Sequence, residues 1–244
     1  MGLERLDKIL SHMGICSRRE AAKLAKSGAI RINGGICRDS GCKVDPAADD
    51  IAVDGETICY KTHVYILMNK AAGYITATED RRQPTVLALL GEREQKMGLF
   101  AAGRLDKDTE GLLLLTNDGA FAHSIMSPKH RVEKSYLARV EGTLAKDAEE
   151  RFAAGLQLED GTVCLPAGLR RLAAPDEILV TICEGKYHQV KRMVEQCGGR
   201  VRYLKRLSIG GLTLPEELSP GDWRYVDYTW VKTQINNTDS KTIG

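Results

Sequence analysis

The sequence predicts an α+β protein in which a small helical module precedes a larger domain built on a largely antiparallel, mixed sheet. Three observations carry this. Short amphipathic helices are spaced along the chain, one pair at the N-terminus and another helix near residue 190, and strand-like apolar segments lie between them. The strands and helices do not alternate in strict order, which argues against a parallel βα sheet. The 244 residues are 43% hydrophobic, enough to bury a real core.

Leu6, Ile9, Leu10 and Met13 fall at helical spacing and Gly14 stops them. Ser17-Arg18-Arg19-Glu20 has the form of a capping box, in which the hydroxyl and the carboxylate each satisfy a free amide of the first turn. It opens a second helix that runs through Lys26 to Gly28, with Ala21, Leu24 and Ala25 as its inner face. Arg31 begins a strand that turns at Asn33-Gly34. Asp49 to Gly55 reads as the last strand and turn of this module, and Thr57 to His63 as a linker. The expected division is therefore a module over 1–60, a larger domain over 64–231 and a disordered polar tail over 232–244.

In the larger domain Val64 to Met68 reads as a strand, Tyr74 to Thr78 as a β-segment and Pro84 to Leu90 as a short helix. An apolar run ends at Gly103 and a second one starts at Leu112, so the residues between them form a short polar loop on two strands. Asn117-Asp118-Gly119 is a turn, and Ala120 to Met126 is a helix stopped by Pro128. Lys134 to Glu141 alternates Tyr136, Ala138 and Val140 against Ser135, Leu137 and Arg139, the period of a strand. Ile178 to Cys183 is another strand. Lys186 to Cys197 places Val190, Met193, Val194 and Cys197 on one helical face, closed by Gly198-Gly199.

The charge balance of 35 basic against 33 acidic residues says little, but its distribution says more. Residues 1–43 hold nine basic and four acidic side chains, residues 44–56 five acidic and none basic, and residues 184–206 seven basic and two acidic. Two separated basic stretches suggest a polyanion bound at chosen places. No apolar run approaches the roughly 20 residues of a membrane span, and the N-terminus lacks the apolar core of a signal peptide, so a cytoplasmic protein without membrane contact is expected. The seven cysteines contain no CxxC pair and read as reduced thiols. The five histidines lack HxxxH or HExxH spacing, so no metal site is expected.

Gly103-Arg104-Leu105-Asp106-Lys107-Asp108-Thr109-Glu110-Gly111 holds a carboxylate on a rigid two-strand support, as catalysis requires if it is to meet a substrate atom repeatedly in one geometry. By itself an Asp in such a turn can equally serve to close the turn. Two further stretches stand beside it: Glu133-Lys134-Ser135-Tyr136 and Glu184-Gly185-Lys186-Tyr187-His188-Gln189-Val190-Lys191-Arg192-Met193. A carboxylate, an aromatic ring and a basic pair are what a protein needs to hold an extruded nucleobase and react beside it. Tyr136 could also be a core aromatic, and Lys191 and Arg192 an exposed helix face.

The segments Arg5 to Leu10, Ser17 to Ala21 and Gly28 to Gly34 resemble an S4 RNA-binding domain over nearly its whole length. That resemblance implies RNA contacts from Arg5, Lys8, Arg18, Arg19, Lys23 and Arg31. Gly103 to Asp106 with Thr109, Gly111-Leu112-Leu113-Leu114-Leu115-Thr116-Asn117-Asp118-Gly119 and Tyr187 to Met193 are similar to pseudouridine synthases of the RsuA type. The resemblance covers essentially residues 3–228 and takes in Asn69 to Tyr74, Pro84-Thr85-Val86 and Ile209 to Leu212. Many relatives carry proline where Ala71 stands, so the turn after Lys70 is expected to be less rigid here.

What the resemblance implies is conversion of a uridine in RNA to its C-glycoside isomer, with Asp106 as the essential carboxylate and no cofactor or metal. Asp106 acts ionised, either on the base or at the sugar. Tyr136 would stack on the target base, and a basic residue would pair with Asp106 to keep it ionised, Lys191 first and Arg192 as the alternative. Arg104 would be a phosphate contact or part of an ion pair. His188 and Gln189 would organise hydrogen bonds around the site and, with Lys186, count among its RNA contacts. The helix at 187–193 looks more like the small-subunit enzymes than the large-subunit group, so 16S ribosomal RNA, free or in a partly assembled small subunit, is the expected partner, with the uridine at position 516 as the target class and a monomer as the working form. A large-subunit (23S) enzyme and a noncatalytic S4-type assembly factor are the rivals. An aspartate phosphatase fails on spacing, because Thr109 directly follows Asp108 where DxDxT needs one more residue.

Overall fold

The computed structural model describes residues 2–237 and divides the chain into two compact units, residues 2–64 with 87–100 and residues 65–86 with 101–237. The first unit begins with β1 (Glu4–Arg5), α1 (Leu6–His12) and α2 (Arg18–Ser27). Ser17 Oγ accepts from Glu20 N at 3.3 Å while Glu20 Oε2 accepts from Ser17 N at 2.8 Å, so the capping box is complete. A sheet in the order β3 (Gly35–Ile36), β2 (Ile30–Ile32), β5 (Ile51–Val53), β6 (Glu56–Thr57) follows, and β4 (Lys43–Val44) pairs with β1. Asn33 and Gly34 both take positive φ, 51° and 81°, as a tight hairpin turn with right-handed strands demands. Leu6, Ile9, Leu10, Ala21, Ala25, Ile30 and Ile51 form the core.

Two expectations for this unit are corrected. The supposed linker begins inside it, because Thr57 lies in β6 and Ile58 is buried, its amide bonded to Ile51 O at 2.7 Å. Residues 87–100, with the short helix α3 (Glu92–Gln95), also belong to it. Arg93 Nε donates to Met13 O at 3.0 Å, and Gly14 meets the Arg93 carbonyl so closely that a Cβ would lie 2.1 Å from that oxygen.

The second unit is built on one mixed sheet in the order β11 (Gly168–Arg171), β12 (Glu177–Ile182), β10 (Lys134–Gly142), β13 (Gly199–Ile209), β9 (Glu110–Thr116), β7 (Tyr65–Lys70), β15 (Trp223–Tyr225). Every neighbouring pair along this order is antiparallel except β9 with β13. The chain enters through β8 (Phe100–Ala101), and β14 (Leu212–Thr213) folds back on β13. The central strands β7 and β9 are buried along nearly their whole length, so they read as continuous apolar runs rather than alternating ones. Four helices pack in this unit: α4 (Gly119–Met126), α5 (Ala148–Ala154), α6 (Gln189–Gln196) and α7 (Tyr228–Asn236).

Three further expectations change here. Tyr74 to Thr78 makes only one isolated bridge, between Ile75 and Thr85, and no strand. The helix expected from Lys186 starts at Gln189, because His188 sits in the left-handed region (φ 49°, ψ 33°) and turns the chain before the first helical residue. The expected tail begins inside α7, which Asp227 caps through bonds from Thr229 N and Trp230 N and which Val231 and Ile235 anchor to the core. Residues 238–244 of that expectation lie outside the described residues. Among the described residues no helix is long and apolar enough to cross a membrane.

Candidate active site

The loop of Asp106 is held from three sides. Gly111, the second residue of β9, takes φ +104°, and a Cβ there would lie 2.2 Å from the Arg206 carbonyl oxygen, so only glycine lets β9 run this close to β13. Thr76 Oγ1 donates to Leu105 O at 2.7 Å and accepts from Leu105 N at 3.1 Å, which fixes the residue before Asp106. Beneath the loop, the wholly buried Lys70 at the end of β7 donates from Nζ to the carbonyls of Thr109 (2.7 Å), Ala71 (3.0 Å) and Lys107 (3.3 Å).

Burial pushes the Lys70 ammonium down to about 8, against the pull of Asp108, Asp106 and Glu110. Arg206 of β13 is likewise buried, its Nε bonded to Leu112 O at 2.8 Å. Lys70 and Arg206 are the residues that sequence reasoning missed in these roles. Each is a cation in an apolar position with backbone carbonyls for partners, and the only signal in the sequence was a charge inside a strand.

Asp106 opens onto a cleft of about 390 Å³, the size of an ordinary small-ligand site. Tyr136, Thr76, Leu204, Arg104, Tyr187 and His188 are among the residues that line it. Tyr136 comes from β10, in register with Arg206 on one side and Val180 on the other, and the residue is 6% exposed. Lys191, in the first turn of α6, lies 3.1 Å from Asp106 Oδ2 and 2.6 Å from Asp108 Oδ1. His188 Nε2 stands 3.6 Å from Asp106 Oδ1. Asp108 lies below the ordinary carboxylate range: partial burial opposes this, and the hydrogen bond and charge of Lys191 outweigh it. Lys191 is raised correspondingly, the two carboxylates prevailing over its own desolvation.

The structure thus brings Asp106, Tyr136, Lys191, His188 and Arg104 to one cleft. Others go elsewhere. Arg192 Nη2 pairs with Asp160 at 2.6 Å rather than with Asp106, which leaves Lys191 as the ion-pair partner. Gln189, expected among RNA contacts, is 3% exposed with both amide ends in use, Nε2 donating to Glu184 Oε1 and Oε1 accepting from Lys186 N, each at 2.9 Å. It shapes the turn from within. Lys186 is tied to the Val163 carbonyl and lies 3.3 Å from Glu184 Oε2.

The basic stretch 184–206 is therefore not a free cationic surface. Arg206 is buried, and Lys191, Arg192, Lys186 and Arg202 face carboxylates. In the first unit Arg18, Arg19, Lys23 and Arg31 are exposed, while Arg5 pairs with Asp7 at 2.7 Å and Lys8 with Glu4 at 2.6 Å. Among the described residues no group of three or more His, Cys, Asp or Glu side chains is placed to hold a metal ion.

The chain is similar to known proteins along nearly its whole length. Residues 4–51 match the S4 domain, and residues 64–196 match the RNA pseudouridylate synthase family. An uncharacterized RNA pseudouridine synthase of Bacillus subtilis, YtzG, is 43% identical over 224 residues, 90% of this chain and 93% of that protein. Ribosomal small subunit pseudouridine synthase A of Escherichia coli K12 is 39% identical over 221 residues, 90% of this chain and 95% of that protein. A crystal structure of a pseudouridylate synthase superposes with a TM-score of 0.66 at 32% identity, covering 95% of this chain and 99% of the other. With a family match across more than half its length and these relatives across nine-tenths of it, the chain belongs to the RNA pseudouridine synthase family and carries an N-terminal S4 domain.

Proposed function

We propose that this enzyme isomerises one uridine of 16S ribosomal RNA, of the class at position 516, in the cytoplasm and on free RNA or a partly assembled small subunit. The observation that carries the reading is the pairing of Asp106 with Lys191 at 3.1 Å at a cleft whose wall is the buried ring of Tyr136. The likeness to small-subunit enzymes across nine-tenths of the chain supports the choice of RNA.

In the reaction the N1–C1′ glycosidic bond breaks, the base turns, and C5 bonds to C1′. The proton lost from C5 balances the one gained at N1, so product and substrate are isomers and no co-reactant is consumed. Asp106 supplies the negative charge, at the sugar or on the base. Lys191 fixes its orientation, and the Lys70 and Thr76 bonds keep the loop from drifting by the ångström that would slow such chemistry about 100-fold. Tyr136 packs on the extruded base. The exposed cations of the S4 domain, Arg18, Arg19, Lys23 and Arg31, bind phosphates and folded RNA shape.

A pseudouridine-specific chemical map of 16S and 23S RNA from a deletion strain, complemented with wild type or Asp106→Asn, tests this. One 16S site should vanish on deletion and return only with wild type, and Asp106→Asn should lose at least about 10⁴-fold in rate while still binding RNA. Loss of a 23S site instead would move the target to the large subunit. No lost site would leave a binding or assembly role.

A further inference from the structure

Tyr187 takes no part in that chemistry, yet its placement is tightly specified. It is the most exposed large hydrophobic side chain among the described residues, at 75%, and it stands on the cleft that holds Asp106 and Tyr136. Its ring stacks on His188 with centroids 3.8 Å apart and planes 19° from parallel. His188 reaches that position through a left-handed backbone, φ 49° and ψ 33°, which non-glycine residues adopt rarely and functional sites retain.

The turn that carries both rings is pinned at each end. Lys186 N donates to the buried Gln189 Oε1 at 2.9 Å, and Tyr187 O accepts from Arg192 Nη1 at 3.4 Å while Arg192 is itself held by Asp160. The contact with His188, not burial, sets the position of the Tyr187 ring, because little of it is buried. A stacked aromatic pair fixed from behind, with one face left to solvent, is the arrangement on which RNA enzymes rest an unstacked base.

Extruding a uridine into the cleft against Tyr136 breaks its stacking with the neighbouring nucleotide, which then lies at the mouth beside Tyr187. Arg104 and Lys107, both exposed on the same cleft, offer cationic partners to the phosphates of a strand entering it. We infer that the Tyr187–His188 stack is a platform for the nucleobase adjoining the target uridine. The inference rests on the RNA isomerase reading and adds to it a contact outside the reacting nucleotide.

Steady-state kinetics of the full-length protein on 16S RNA test the platform, using wild type, Tyr187→Ala and Tyr187→Phe. Each is run on RNA that is intact or abasic at the nucleotide on either side of the mapped uridine. Because the ring is exposed, its removal leaves the core untouched. Tyr187→Ala should raise KM roughly 5- to 100-fold with the effect falling on KM rather than kcat, and Tyr187→Phe should retain the wild-type KM.

One abasic substitution should cost wild type about what Tyr187→Ala costs, and should cost Tyr187→Ala nothing more. An unchanged KM in Tyr187→Ala, a Tyr187→Phe as impaired as Tyr187→Ala, or equal abasic costs in both proteins would overturn the platform alone. A wild type that forms no pseudouridine in any ribosomal RNA would overturn the isomerase reading, and the platform with it.

Discussion

The N-terminal unit keeps its cations at the surface, whereas the catalytic unit, beside exposed ones such as Arg104 and Lys107, also buries three. In the N-terminal unit Arg18, Arg19, Lys23, Lys26 and Arg31 stand on the surface, and the ion pairs present, Arg5 with Asp7 and Lys8 with Glu4, are local ones of small energetic weight. In the catalytic unit Lys70, Lys134 and Arg206 are buried, and their partners are backbone carbonyls: three for Lys70, Val132 O for Lys134 and Leu112 O for Arg206. A surface cation can exchange its counterion for a phosphate. A buried one cannot, and the donors it places on backbone carbonyls fix the chain around it. The same residue type is therefore open to solvent in one unit and bonded to the backbone beneath the Asp106 loop in the other, and burial marks the difference.

The sharpest way to break this contrast is Lys70→Met. If Lys70 is the anchor of the Asp106 loop, kcat should fall on the order of 100-fold while RNA affinity stays near wild type. A second readout follows from titration. Burial brings Lys70 down to about 8, below the usual lysine value of 10.5 that it regains on unfolding.

Between those values the unfolded state binds the extra proton, so wild-type stability rises with pH relative to a variant that cannot titrate there. The charged form below pH 8 carries the full desolvation penalty, and the penalty is relieved as pH climbs toward 10.5. Urea unfolding of both proteins at about pH 7 and about pH 10 should show the wild-type-minus-variant difference growing by about 2 kcal/mol. A flat difference would mean that Lys70 is solvated and no anchor.

Charge reversal at Arg18 and Arg19 probes the other side of the contrast. These residues open α2 and are exposed, so their replacement by Glu should weaken 16S RNA binding about 10- to 100-fold and flatten its salt dependence by about one unit of slope for each phosphate no longer neutralised. The effect should fall on affinity and leave the saturated single-turnover rate. Filter binding between low and moderate salt reads both numbers. An unchanged affinity would remove the S4 unit from substrate recognition and leave the catalytic unit to bind alone.

The same contrast explains which parts of the molecule are legible in the sequence. α1, α2 with its capping box, the Asn33-Gly34 hairpin and the Asp106 loop each have a local cause: helical spacing, a cap, a turn dipeptide, a glycine bracket. The central strand β13 is not legible. Leu204, Arg206 and Ser208 share its buried face, and an arginine in the middle of that face disguises the period of two.

Lys186 to His188 resembles the first turn of a helix because the left-handed conformation of His188 leaves no mark in the pattern of apolar residues. α7 is hidden by its thin anchorage, since only Val231 and Ile235 are buried along its length. Of the site, Asp106, Tyr136 and Lys191 stand out through resemblance, whereas the roles of Lys70 and Gln189 depend on what their side chains find across the fold.

The smallest expected effect bears on how the surface cations are presented. Ser17 and Glu20 close the N-terminus of α2 directly before Arg18 and Arg19, whereas Lys70 and Arg206 are fixed by bonds of their own side chains. Ser17→Ala removes one half of the box and leaves the Glu20 amide without its acceptor, a loss of about 1 kcal/mol of stability that urea unfolding can resolve. RNA affinity should move less than about threefold, because the helix persists through the buried Ala21 and Ala25 and the arginine side chains remain free to find phosphates. A tenfold loss of affinity without unfolding would show the opposite, that the cap aims Arg18 and Arg19. Presentation by the backbone would then matter for the surface cations as much as it does for the buried ones.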